Sequence, residues 1–184
     1  MDTRQTEERK IAMTNILSIM RSYQREFITA PQRFKIACWS RQSGKSTAIA
    51  SLLVMKALLH PNGLSICVSI NLRSASEIIR KCVQVAEAVK LLSKGAVTYT
   101  SSFDKVVFST GQRVISLPAG NDGSAGRGWT LNGGALCLDE AGYLRNLDDL
   151  LTSFGPTLTT SPDSELILTS TPSGKNHMFY KLWE

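Results

Sequence analysis

With 184 residues, 42% of them hydrophobic and 20% charged, the chain has the composition of one globular domain with a sizeable core, and two independent domains would be cramped. Lys and Arg number 21 against 15 Asp and Glu, a net charge of +6 that favours a polyanionic partner without identifying it, and that equally fits a basic solvated surface. The N-terminus mixes acids and bases with no apolar core for a signal peptide, and the longest apolar stretch is broken by Lys56, so a soluble intracellular protein without a membrane span is expected.

In chain order, residues 8–28 are predicted to form one helix, with Ile11, Ile16, Leu17, Ile19, Met20 and Phe27 along an apolar face. Arg33 to Trp39 reads as the first strand and Thr47 to Leu59 as a nearly all-apolar helix. Pro61-Asn62-Gly63 turns the chain into a buried strand over Leu64 to Ile70, and Ser74 to Leu92 reads as a helix. Short strands are predicted at Val97 to Tyr99, Lys105 to Ser109 and Arg113 to Leu117, the last two joined at Gly111-Gln112. An apolar run over Gly133 to Leu138, a helix over Leu147 to Phe154 and a strand over Glu165 to Ser170 complete the pattern. Strands alternating with long helices predict an α/β fold with a mostly parallel central sheet flanked by helices.

The junction Ile36-Ala37-Cys38-Trp39-Ser40-Arg41-Gln42-Ser43-Gly44-Lys45-Ser46-Thr47 carries the clearest chemical signal. A strand that enters a Gly-Lys-Ser turn and leaves as a helix presents backbone N–H groups and a positive helix end to phosphates. Lys45 then reaches the β and γ phosphates and Ser46 ligates Mg²⁺. The loop's usual first Gly falls at Trp39, so this is a variant phosphate loop. The stretch Ser173-Gly174-Lys175-Asn176 is an internal control: it has the Gly-Lys pair but neither the following hydroxyl nor a long apolar helix.

Triphosphate chemistry also needs a carboxylate for the metal and a group that positions the attacking water. The apolar run before Asp139-Glu140 delivers Asp139 toward the metal and places Glu140 beside the γ-phosphate as base; elsewhere two such acids more often cap a helix. Thr169-Ser170-Thr171 ends another strand, where a parallel sheet binds its ligands, and reads either as a γ-phosphate sensor or as a polar strand end. Arg41 in the loop and Arg127 in Gly123-Ser124-Ala125-Gly126-Arg127-Gly128 are the candidate cations for the developing charge, Arg127 having as its default a solvated loop. Cys38, Cys67, Cys82 and Cys137 lack metal-site spacing and read as buried thiols in a reducing compartment; His60 and His177 suggest no metal site either.

Together, Tyr23-Gln24-Arg25, the loop from Ser40 to Ser46, Asp139-Glu140, and Leu168-Thr169-Ser170-Thr171-Pro172-Ser173-Gly174-Lys175-Asn176-His177 resemble the ATPase domain of the large terminase subunit, the DNA-packaging motor of tailed bacteriophages. The resemblance runs from Tyr23 to His177 and implies a P-loop NTPase fold of the ASCE type, with residues 1–32 as a helical region carrying the adenine motif and 33–184 as the core. It implies ATP and Mg²⁺ as cofactors. It also implies an adenine contact at Gln24; phosphate binding along Arg41, Gln42, Ser43, Gly44, Lys45, Ser46 and Thr47; metal held by Ser46 and Asp139; Glu140 as the base; and coupling through Thr169, Ser170 and Thr171. Arg127 matches in placement the arginine that family members insert into a neighbouring subunit, and the choice between Arg41 and Arg127 as finger stays open. The implied partners are double-stranded DNA, further copies in a ring, the portal protein and the small terminase subunit, in the host cytoplasm and on the procapsid. Only 13 residues follow Thr171 (184 − 171), so the nuclease domain usual in large terminases is not expected here. A helicase-like nucleic-acid ATPase shares several of these motifs, and a nucleotide-responsive DNA-binding module without turnover is the non-enzymatic alternative. Arg73, Arg80, Lys81, Lys90 and Lys94 are DNA-contact candidates by charge alone, a solvated helix face explaining most of them as well.

Overall fold

In this computed structural model, which describes residues 3–184 apart from 61, 96, 110, 121–124, 126 and 127, the apolar runs of the sequence become a sheet with both faces covered. Seven strands lie in the order β1-β7-β6-β2-β5-β4-β3: β1 (Phe34–Cys38), β2 (Leu64–Ser69), β3 (Tyr99–Ser101), β4 (Lys105–Phe108), β5 (Arg113–Pro118), β6 (Ala135–Asp139) and β7 (Glu165–Ser170). The first five in that spatial order pair in parallel, and β5-β4-β3 close one side as an antiparallel meander. A strand buried on both faces cannot show polar alternation, and every residue of β2 and β6 is buried.

Helices α1 (Thr3–Ser18), α2 (Ser22–Thr29), α3 (Lys45–Leu59) and α4 (Leu72–Leu92) cover one face, where Ile49, Leu52, Leu53 and Ile79 meet Cys67, Cys137 and Ile167 of the strands. Helices α5 (Leu147–Thr160) and α6 (Met178–Trp183) cover the other, where Leu150, Phe154 and Phe179 meet Ile66, Leu136, Leu138 and Leu168. β6 shows the division residue by residue: Ala135 and Cys137 enter the first cluster, Leu136 and Leu138 the second.

Several predicted elements are corrected. The single helix over residues 8–28 is two helices, because the chain is extended at Arg21 (φ −64°, ψ 153°) and the Gln24 side-chain carbonyl accepts the Arg21 N–H at 3.1 Å, starting α2 afresh. The break leaves Ile19 82% and Ile11 49% exposed, off the apolar face they were expected to share. α4 begins two residues earlier than Ser74, since Asn71 caps it by accepting the Ser74 N–H at 2.9 Å. α5 continues past Gly155-Pro156 to Thr160: buried Phe154, Thr157 and Leu158 hold the last turn on the sheet, which outweighs the backbone bond that Pro156 cannot make. β3 starts at Tyr99 rather than Val97, and α6 has no counterpart among the predicted elements.

At the amino end of the sheet, Lys35 of β1 pairs with Glu165 of β7 at 2.8 Å, both nearly inaccessible, and Lys56 from the last turn of α3 also pairs with Glu165. The opposite, carboxyl end gathers the polar motifs.

Candidate nucleotide-binding site

Strands β1, β6 and β7 run in parallel with Ala37 beside Thr169 and Asp139 beside Thr169, so their carboxyl ends bring the loop 39–44, Asp139-Glu140 and Thr169-Ser170-Thr171 to one edge. This is where ligands bind in open parallel sheets. The turn is made by Gln42 (φ 61°) and Gly44 (φ 81°), and the first backbone bond of α3 runs from Ala48 N–H to Gly44 O at 3.1 Å. The N–H groups of Lys45, Ser46 and Thr47 therefore have no backbone acceptor among the described residues, as required of a helix start that receives an anion.

Ser40, Arg41, Gln42, Gly44, Lys45, Ser46, Thr47, Lys81, Glu140 and Thr171 line one cavity of about 390 Å³. Within it Lys45 Nζ donates to Glu140 Oε1 at 2.5 Å and stands 3.2 Å from Asp139 Oδ1. Burial pulls the Lys45 pKa down, but Asp139 and then Glu140 outweigh it and the net shift is upward, so the ammonium stays charged. Two carboxylates thus stand where a phosphate's oxygens would be held.

Asp139 is itself fixed: its Oδ1 accepts the Glu140 N–H and the Thr169 hydroxyl, each at 2.9 Å, while its Oδ2 and the Ser46 hydroxyl make no hydrogen bond among the described residues. One carboxylate oxygen and one hydroxyl beside a phosphate cavity are what Mg²⁺ asks of a protein, the remaining ligands being water and phosphate. This donor set fits the metal although no group of three or more His, Cys, Asp or Glu able to hold an ion occurs among the described residues.

Glu140 occupies the left-handed region (φ 52°), a strained setting for a side chain that its neighbours over-determine. Its Oε2 accepts the Thr171 N–H at 3.2 Å and lies 3.4 Å from the Thr171 hydroxyl. Ser170 faces elsewhere: its hydroxyl accepts the Gly142 N–H at 3.1 Å and donates to Thr171 O.

Gln24 is brought to the loop, and its amide is already engaged. Nε2 donates to Gly44 O at 3.1 Å and Oε1 holds the Arg21 N–H, while the neighbouring Tyr23 hydroxyl donates to Ser43 O at 2.5 Å. A Cβ on Gly44 would stand 2.5 Å from Gln24 Nε2, so the glycine is needed for space as well as for its positive φ. Trp39, at the position of the usual first Gly, packs edge-on against Tyr23 and Phe27 with ring centroids 5.5 and 5.2 Å away. α2 is thereby locked onto the loop, a contact the sequence motif does not announce.

Of the remaining expectations, Arg41 is exposed and lines the cavity, while Arg127 lies outside the described residues. Cys67, Cys82 and Cys137 are buried, whereas Cys38 is half-buried at the end of β1. Of the basic residues of α4, Arg80 pairs with Glu77 at 2.6 Å and Lys90 with Glu87 at 3.5 Å, but Lys81 turns into the cavity. No helix is long and apolar enough to cross a membrane among the described residues.

The family model of the terminase large subunit, T4likevirus-type, N-terminal, matches residues 36–184. The chain belongs to this family. Solved structures place the terminase fold beside it. The large terminase ATPase domain of Thermus phage P74-26 superposes with a TM-score of 0.74 at 22% identity, over 91% of this chain and 70% of that one. The HK97 bacteriophage large terminase gives 0.73 at 18% identity, over 95% of this chain but 40% of that one. The large terminase of a thermophilic bacteriophage, in complex with ADP, gives 0.61 at 12% identity, over 92% and 40% respectively. The terminase chain therefore has the P-loop fold of these ATPase domains, and spans well under half of the latter two large terminases.

Proposed function

We propose that this terminase domain hydrolyses ATP to drive double-stranded viral DNA into a procapsid. The observation that carries the reading is the convergence of Lys45, Asp139, Glu140 and Thr171 on one cavity at the head of α3. The triphosphate enters over the free N–H groups of the α3 start, and Lys45 exchanges its two carboxylates for phosphate oxygens. Ser46 and Asp139 Oδ2 would hold Mg²⁺, which would supply positive charge to offset that developing on the phosphates. Glu140, released by Lys45 but still held by Thr171, orients water and takes its proton. Because Thr171 N–H follows Glu140, the loop after β7 senses what occupies the site, which suits a coupling role for residues 169–171.

Gln24 positions the loop and would contact the base by giving up one of the bonds that its amide now makes, and Arg41 or Arg127 serves the developing charge. The reading further places the protein in the host cytoplasm, in a ring of copies docked on a procapsid through portal and small-subunit contacts. Its test is Glu140→Gln, which should keep ATP binding and abolish turnover. Hydrolysis persisting at the wild-type rate would remove Glu140 as base. Wild-type ATPase activity that rises with protein concentration and with duplex DNA is expected of a ring motor; a rate indifferent to both would count against the packaging role.

A further inference from the structure

One wall of the phosphate cavity comes from none of the recognised motifs. Lys81 sits midway along α4, the helix that packs beside α3, and lines the cavity together with Lys45, Thr47, Glu140 and Thr171. It occupies the flank of the apolar face formed by Ile78, Ile79, Cys82 and Val85, half-buried rather than free in solvent. No hydrogen bond or ion pair engages it among the described residues. Glu77, the acid one turn before it, is held by Arg80 through two bonds of 2.9 and 2.6 Å. A half-buried ammonium facing an anion site, with no carboxylate bonded to it and only a longer-range attraction to exposed Glu77, is placed for an anionic ligand.

The charges lining the site say which ligand. Lys45 is matched by Asp139 and Glu140, so the two carboxylates offset Lys45 and Arg41, and Lys81 supplies the excess positive charge. We propose that Lys81 is a phosphate-binding residue of this site, a cation delivered by α4 that favours the triphosphate over the diphosphate because the triphosphate carries the additional negative charge. The inference rests on the nucleotide reading above and deepens it. It also removes Lys81 from the residues available to DNA.

Equilibrium binding of ATPγS and ADP, both with Mg²⁺, to wild type, Lys81→Met, Lys81→Gln, Lys81→Arg and Lys45→Ala is the test. Met and Gln keep most of the side chain's volume, so at least one folded neutral variant is expected, with melting curves as control. Either neutral variant should lose about tenfold in ATPγS affinity and clearly less in ADP affinity, and Arg should restore most of the loss. Unchanged ATPγS binding, an equal loss for both nucleotides, or a loss confined to duplex DNA binding would each overturn the proposal. If Lys45→Ala and wild type bind ATPγS alike, or wild type does not bind it, the nucleotide reading itself fails and Lys81 falls with it. Intact wild-type binding that needs Lys45 but ignores Lys81 refutes only the role of Lys81.

Discussion

The lock between α2 and the phosphate loop makes a quantitative prediction. Gly44→Ala forces a side chain into φ 81°, which costs about 1–2 kcal/mol for a non-glycine residue. Its Cβ would also stand 2.5 Å from Gln24 Nε2, and the buried amide can yield only by giving up its bonds to Gly44 O and from Arg21 N–H. At about 1 kcal/mol each these add roughly 2 kcal/mol, so the substitution should cost about 3–4 kcal/mol in all. With Gln24→Ala already present the clash and the bonds are gone, and Gly44→Ala should then cost only the backbone strain. Urea unfolding of the four proteins of this cycle, without nucleotide, should therefore show a coupling of about 2 kcal/mol between residues 20 positions apart. Additivity within about 0.5 kcal/mol would refute the interlock.

Two further predictions concern parts of the molecule away from the phosphates. Glu165→Ala leaves Lys35 charged and almost wholly buried with no partner, so stability should fall by about 3–5 kcal/mol in urea unfolding; a loss below about 1 kcal/mol would mean that Lys35 reaches water. Of the four thiols only half-buried Cys38 should react with an aromatic disulfide reagent in the native protein, all four reacting once unfolded. Burial lifts the Cys82 pKa, and a hydrogen bond with Cys67 followed by burial lifts that of Cys137, both well above 9.0. Well below pH 9 these thiols are neutral in both states and cost nothing. Above it only the unfolded chain ionises them, and stability should fall by up to about 1.4 kcal/mol per pH unit for each, where melts indifferent to pH from 9 to 10.5 would be contrary.

Much of the fold was legible because a parallel sheet covered on both faces writes itself as uninterrupted apolar runs: Glu165 to Ser170 matches β7 residue for residue, and Asp139 closes β6 as expected. The turn between β1 and α3 was legible because Gly44-Lys45-Ser46 stands between an apolar strand and an apolar helix. What escaped depends on contacts across long separations. Nothing in residues 8–28 marks Arg21 as a break until Gln24 folds back on it, and nothing in Tyr23-Gln24 shows that both hold the carbonyls of Ser43 and Gly44. Lys81 was one basic residue among five on or near α4, and only its place at the border of the apolar face hinted that it differs. α6 has six residues, too few for periodicity to show, and its start is set by the His177 ring, which accepts the Phe179 N–H.

The span of the site in sequence has a consequence for how the protein acquires it. Lys45 and Glu140 are 95 residues apart, Thr171 and Glu140 a further 31, and α2 must dock before Ser43 and Gly44 are held. No partly formed intermediate that lacks β6 contains the acids that meet Lys45, and none that lacks β7 has Thr169 and Thr171 in place to hold them. Ligand capture and completion of the central sheet should thus arrive as one kinetic event, late among the steps of folding because its loops are long. A refolding experiment that follows fluorescent nucleotide uptake would then clock the assembly of the whole domain.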